Sequence, residues 1–160
     1  DVSFKKAKSE DLIKIKSDIF PFIENMDSDK KELKKNLNTC FLGLKNDKII
    51  HYFLTYENPK ISPLFSGALF NKQSLLKTDA YLGSTFTIPS ERGSWIAPSS
   101  LLYIINFYKV HTSKKRLLVL VHKDTLGAVD YYKKFGFYVM NNVAPKNILE
   151  WFLLKIKISK

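Results

Sequence analysis

The side chains able to do chemistry gather in two places in the second half of the chain. The first is Ile88-Pro89-Ser90-Glu91-Arg92-Gly93-Ser94-Trp95-Ile96-Ala97, which joins an apolar run to a helical one and sets an arginine and a glycine just before the helix. Such a segment can be an ordinary strand-to-helix turn, with Trp95 packed and Pro98 in a first helical turn that needs no amide there. It can equally cradle a phosphate, because glycine lets the backbone approach while free amides and the positive end of the helix dipole offset the charge. The second place is Ala128, Tyr131, Tyr132 and Phe135, which recur at helical spacing before Gly136. A tyrosine in such a stripe either packs on a sheet with its hydroxyl at the surface or brings a phenol, protonated near neutral pH, to a site. Other chemistries lack their residues. His51, His111 and His122 are far apart with no paired ligand spacing, Cys40 is a lone cysteine, and no Ser-His-Asp or Cys-His signature is present. Neither a metal centre nor a disulfide framework is expected, and Cys40 reads as a buried apolar residue.

Elements to hold these residues follow from local pattern. Leu117 to Val121 is an uninterrupted leucine and valine run, as in a strand buried on both faces. Asp124 or Thr125 can cap the helix that follows, and Gly136 supplies a left-handed residue to end it. Upstream, Ala80 to Ile88 reads as a strand, Pro89 to Gly93 as a turn, and Ile96 onward as a helix with Leu101, Leu102, Ile105 and Tyr108 on one face. In the first half, Val2 to Lys6 reads as a strand. Ser9 offers a cap for a helix through Leu12, Ile13, Ile15, Ile19 and Phe20, which Pro21 interrupts, and Ser28 offers one for a second helix from Asp29 to Asn38. Cys40 to Leu44 and Lys48 to Tyr56 form a hairpin through Asn46-Asp47. Asn58 to Pro63 is a loop by its prolines, and Leu64 to Phe70 is either an extra strand or an irregular insertion.

With 160 residues, 45% of them hydrophobic, the chain can bury one sizeable core, so residues 1–160 are expected to form a single domain. The net charge of +11 raises the possibility of nucleic-acid binding, but the basic residues are mostly scattered lysines, with Arg92 and Arg116 the two arginines. A solvated basic surface, or an acidic small molecule or coenzyme phosphate, fits that distribution better than a dedicated nucleic-acid face. No run of about 18 apolar residues could span a membrane, no signal-peptide pattern opens the chain, and a single cysteine suits a reducing compartment, so a cytoplasmic location is expected. The chain begins at Asp1 without Met, as a processed or trimmed chain or one domain of a larger protein would.

Both chemical segments resemble one family. Ala128, Tyr132, Gly136 and Phe137 match the spacing A-x-x-x-Y-x-x-x-G-F of the GCN5-related N-acetyltransferase (GNAT) superfamily, and Arg92, Gly93 and Ala97 resemble its pyrophosphate loop, Q/R-x-x-G-x-G/A. The loop precedes the strand-helix-tyrosine unit at about the family's separation, and the resemblance covers nearly the whole chain. Two positions depart from it: Thr125 stands where the family usually has Asn, and Trp95 replaces the central glycine.

The resemblance implies an α+β fold, an α/β/α sandwich in which a mixed, mostly antiparallel sheet of six to seven strands is flanked by helices. It also implies transfer of an acetyl group from acetyl-CoA to an amine by direct attack on the thioester. The backbone of Phe86, Thr87 and Ile88 would bind the pantetheine arm, and Arg92, Gly93, Ser94, Trp95, Ile96 and Ala97 would cradle the pyrophosphate. Thr125 would sit at the coenzyme site, and Tyr132 would protonate the departing thiolate. Asp79, Glu57 and His122 are the candidates for a base, with bulk water as the alternative proton sink. The partner would be an amine acceptor, a small molecule or a protein, met by a monomer or homodimer. The two departures support a second reading, a catalytically degenerate GNAT-like interaction module.

Overall fold

The structure, a computed structural model, describes residues 1–24, 26–57, 76–122, 125, 127–140 and 151–158, without the side chains of 122 and 151–153. The loop and the strand or insertion expected between Asn58 and Phe70 lie outside the described residues. Among the described residues seven strands form one sheet: β1 (Val2–Lys6), β2 (Cys40–Lys45), β3 (Lys48–Tyr56), β4 (Asp79–Thr87), β5 (Arg116–His122), β6 (Tyr138–Val139) and β7 (Trp151–Lys157). Their order is β1-β2-β3-β4-β5-β7-β6. The ladders β1/β2, β2/β3, β5/β7 and β6/β7 are antiparallel, whereas β4 runs parallel to β5. With its helices, α1 (Asp11–Asp18), α2 (Asp27–Lys35), α3 (Ile96–His111) and α4 (Ala128–Lys133), the chain is α+β, as the sequence led one to expect. Among the described residues no helix is long and apolar enough to cross a membrane.

The chain divides into two compact units, Asp1–Thr55 with Gly83–Ile104 and Tyr56–Leu82 with Ile105–Lys160. In the first unit the expected hairpin forms. Asn46 and Asp47 take φ of 50° and 62°, the paired left-handed turn whose twist matches that of the strands it joins. Where Gly43 pairs with His51 and Leu44 with Ile49, Ile50 is left as an extra residue. This bulge reverses the side-chain alternation of β3. Ile49 therefore joins Tyr52 and Leu54 in the core cluster with Ile15, Ile19, Ile23 and Leu33 of the α1–α2 segment.

Helix boundaries differ from expectation where capping was invoked. α1 begins at Asp11 without a Ser9 side-chain cap. Its start is held instead by the Asp11 carboxylate, which accepts bonds from the Lys8 amide at 2.9 Å and from Lys5 Nζ at 2.6 Å. Ile13 points to solvent, 79% exposed. α2 begins at Asp27, ahead of Ser28, and ends at Lys35, leaving Leu37–Thr39 as a 3-10 turn. Asp27 and Asp29 in its first turn and Lys34 and Lys35 in its last complement the helix dipole. α3 starts at Ile96 as expected, but its buried stripe is Leu101, Ile104 and Tyr108, while Leu102 is exposed. Leu101 and Leu102 differ by about 100° around a helix, so only one of them can share the stripe.

In the second unit Leu117, Leu118, Val119 and Val121 are buried, as an apolar run predicts for an inner strand. Asp79 is wholly buried and bound twice by Arg116, Nε to Oδ1 at 2.7 Å and Nη2 to Oδ2 at 2.6 Å, across the first pair of the β4/β5 ladder. α4 is shorter than expected. Gly127 (φ 74°) occupies its N-cap without a side-chain cap, and the Thr125 carbonyl accepts the Ala128 amide.

Candidate functional site

In the first unit, β4 ends in a 3-10 turn, Pro89–Glu91, before the chain enters α3. A cleft of about 370 Å³ opens there, lined by Phe86 and Thr87 of β4 and by Arg92, Gly93, Ser94, Ile96 and Ala97 of the loop and first helical turn. These seven are residues singled out in the sequence. Gly93 takes φ 74°, and the Trp95 carbonyl accepts the Ser99 amide at 2.9 Å, which makes Trp95 the residue at the helix N-cap. The Ile96 and Ala97 amides precede the first intrahelical donor, and Pro98 has none to lose. Free donors, the positive helix end and Arg92 thus meet around one cleft, an arrangement suited to an anion.

Two of the expected residues stand apart from the cleft walls in this unit. Trp95 neither packs nor lines the cleft: its indole is 79% exposed. The Ile88 amide is already given to the Ile50 carbonyl at 3.0 Å. Thr125 and Tyr132 belong to the second unit.

Further residues, not singled out in the sequence for this role, shape the cleft. Thr85 and Glu91 line it. Lys45, at the end of β2, holds both Glu91 carboxylate oxygens, at 2.8 and 3.0 Å, and so offsets a charge that would repel an anion. Arg92 Nε donates to the Thr87 carbonyl at 3.0 Å, and its guanidinium lies 5.2 Å from the centroid of the Phe86 ring. Behind Thr87 sits His51, fully buried, with Nδ1 2.8 Å from Thr87 Oγ1. Burial lowers its pKa to about 4, so the ring is neutral at ordinary pH.

In the second unit Tyr132 is half-buried, edge-on to Tyr131 with ring centroids 5.1 Å apart and to Phe137 at 5.3 Å. Burial, and then the neighbouring Tyr131, push its pKa up, while burial takes Tyr131 up to about 12. The phenol keeps its proton over the whole usable pH range. Of the candidate bases, Asp79 is committed to Arg116 and to the Leu76 amide, and the exposed Glu57 receives Lys114 Nζ on its carbonyl. His122 closes β5, and its side chain lies outside the described residues.

No protein-family model matches the sequence, and no curated protein matches it significantly. Solved structures do. The ribosomal-protein alanine N-acetyltransferase of Escherichia coli superposes with a TM-score of 0.69 at 12% identity, covering 100% of this chain and 96% of its own. A GNAT-family acetyltransferase of Bacillus cereus superposes at 0.67 with 15% identity, covering 98% and 97%. The PaiA N-acetyltransferase of Thermoplasma acidophilum, solved in complex with coenzyme A, superposes at 0.64 with 13% identity, covering 98% and 99%. Over its whole length, therefore, the chain has the fold of the GNAT N-acetyltransferases.

Proposed function

We propose that the chain is an acyl-coenzyme A dependent N-acetyltransferase that moves an acetyl group from acetyl-CoA to an amine. The observation that carries this reading is the cleft at the start of α3, where Arg92, Gly93, Ser94 and the first helical amides surround a space on a fold shared with a coenzyme A complex. Arg92, Gly93, Ser94, Ile96 and Ala97 bind the pyrophosphate, and the end of β4 binds the pantetheine arm. The acceptor amine attacks the thioester carbon, the C–S bond breaks, and the thiolate takes the proton of the Tyr132 hydroxyl. The proton lost by the amine goes to bulk water, from which Tyr132 is reprotonated, because Asp79 is already committed to Arg116 and to the Leu76 amide. Rate then comes mainly from positioning the two reactants.

Titration with acetyl-CoA, read by calorimetry and by thermal unfolding, tests the reading. At a hundredfold excess over Kd, binding stabilises a fold by about 2.7 kcal/mol, which for a chain of this size is a rise of roughly 5–10 °C. No heat and no shift at millimolar acetyl-CoA would leave the interaction module as the better reading. Glu91 on the cleft wall and the exposed Trp95 are the features that favour that module.

A further inference from the structure

His51 is the buried titratable group that the chemistry above leaves unused, and its surroundings are built for it. The extra residue Ile50 in β3 turns His51 to the face it shares with Phe53, away from Ile49 and the α1–α2 core. On the paired strand Gly43 leaves the space: a Cβ there would come within 3.1 Å of both His51 Cβ and Phe4 Cε1. The ring then reaches Thr87 Oγ1 at 2.8 Å, while its Nε2 is buried without a hydrogen-bond partner among the described residues. A buried polar atom left unpaired is unfavourable, so packing alone would select an apolar side chain at this position.

Thr87 is where this contact meets the cleft. Its hydroxyl is held by His51, its carbonyl receives Arg92 Nε at 3.0 Å, and the residue itself lines the cleft with Arg92. Either tautomer of a neutral imidazole serves, since Nδ1 can donate to the hydroxyl or accept its proton.

We propose that His51 is a positioning residue of the coenzyme cleft: through the Thr87 hydroxyl it fixes the end of β4, and with it the guanidinium of Arg92, in the place the coenzyme phosphates occupy. This inference rests on the coenzyme reading of that cleft. It assigns His51 no proton transfer and no contact with the coenzyme.

Coenzyme A affinity measured by calorimetry, well below the unfolding temperature of each variant, tests it in the full chain. His51→Phe and Thr87→Val, each removing one side of the bond, should each weaken coenzyme A about five- to tenfold, the worth of one hydrogen bond. The double variant should lose no more than either single one, because both remove the same bond. His51→Asn, whose amide falls near the position of Nδ1, should stay within about threefold of the wild type. Losses that multiply in the double variant, or His51→Phe and Thr87→Val binding as tightly as wild type, overturn the role of His51 and leave the coenzyme site standing. A wild type that binds no coenzyme A overturns both. Should His51→Phe fail to fold, Thr87→Val and His51→Asn still decide: equal affinity in wild type and Thr87→Val would sink the proposal.

Discussion

Tyr132 is asked to release a proton that its surroundings make it hold. Burial raises the phenol above its ordinary value near 10, while an ordinary thiol lies near 8.5, so transfer to a free thiolate in water would run uphill. Exclusion of water destabilises the thiolate as well, and the proton moves only as the C–S bond breaks. Tyr132→Phe preserves the ring contacts with Tyr131 and Phe137 and removes only the hydroxyl, so turnover should fall about 10²-fold while coenzyme affinity changes less than threefold. Unchanged turnover would reduce Tyr132 to a packing residue. Glu91 allows a test of the opposite kind. Lys45→Met should leave its carboxylate uncompensated and weaken coenzyme binding several-fold, and Glu91→Gln should tighten it, with both effects shrinking between 50 and about 500 mM salt. Insensitivity to salt would show that the pair acts through geometry alone. Arg92 and Gly93 could be found by reading along the chain because they are neighbours in a turn. Lys45 and His51 could not, since each reaches the cleft through a side-chain contact with a residue far away in sequence, Glu91 and Thr87.

Helix α4 explains physically why a tyrosine, a glycine and a phenylalanine should recur at the spacing that first drew attention. The Phe137 amide donates to the Tyr132 carbonyl at 3.2 Å and the Gly136 amide to the Lys133 carbonyl at 2.9 Å, with Gly136 at φ 86°. These are the two bonds of a Schellman closure, and the Tyr132–Phe137 ring contact is its apolar seal. The spacing from Tyr132 to Phe137 is thus that of a helix end, and it holds whatever the hydroxyl does. A Cβ at Gly136 would meet Ile156 Cδ1 at an ordinary 3.5 Å, so Gly136→Ala should lose about 1–2 kcal/mol through conformation alone. Urea unfolding would show this as a lower midpoint at unchanged slope; an unaltered midpoint would contradict the left-handed assignment. Elements of this local kind were legible: the hairpin, β5, α3 and the glycine stop. The start of α1 was not, because no side chain caps it and Asp11 instead ties the helix back to Lys5 and Lys8. β7 was missed because Lys155 and Lys157 read as surface charge, although Leu154 and Ile156 alternate with them as a strand requires.

At the scale of the molecule, the order of segments carried the fold even though the superposed enzymes share only 12–15% of their residues with it. What order does not reveal is which interior groups resist charge, and that sets how the whole fold answers to pH. The His51 pKa falls from 6.5 to about 4 because burial removes the water that would solvate an imidazolium. Above pH 6.5 both folded and unfolded chains hold a neutral ring. Below it the unfolded chain takes up a proton that the fold excludes, so stability declines until about pH 4, where the folded ring protonates too. At 1.36 kcal/mol per pH unit the decline from 6.5 to 4 amounts to roughly 3 kcal/mol, a large part of a typical folding free energy. Asp11 works in a separate window: its bonds with Lys5 and Lys8 outweigh the effect of burial and lower its pKa below 3.8, so its contribution is lost only in stronger acid. Denaturant unfolding from pH 7 to pH 4 should therefore trace a falling curve in the wild type and a nearly flat one in His51→Asn, which has nothing to protonate. Parallel curves in the two proteins would mean that the proton enters elsewhere, and that His51 is already reached by water in the folded chain.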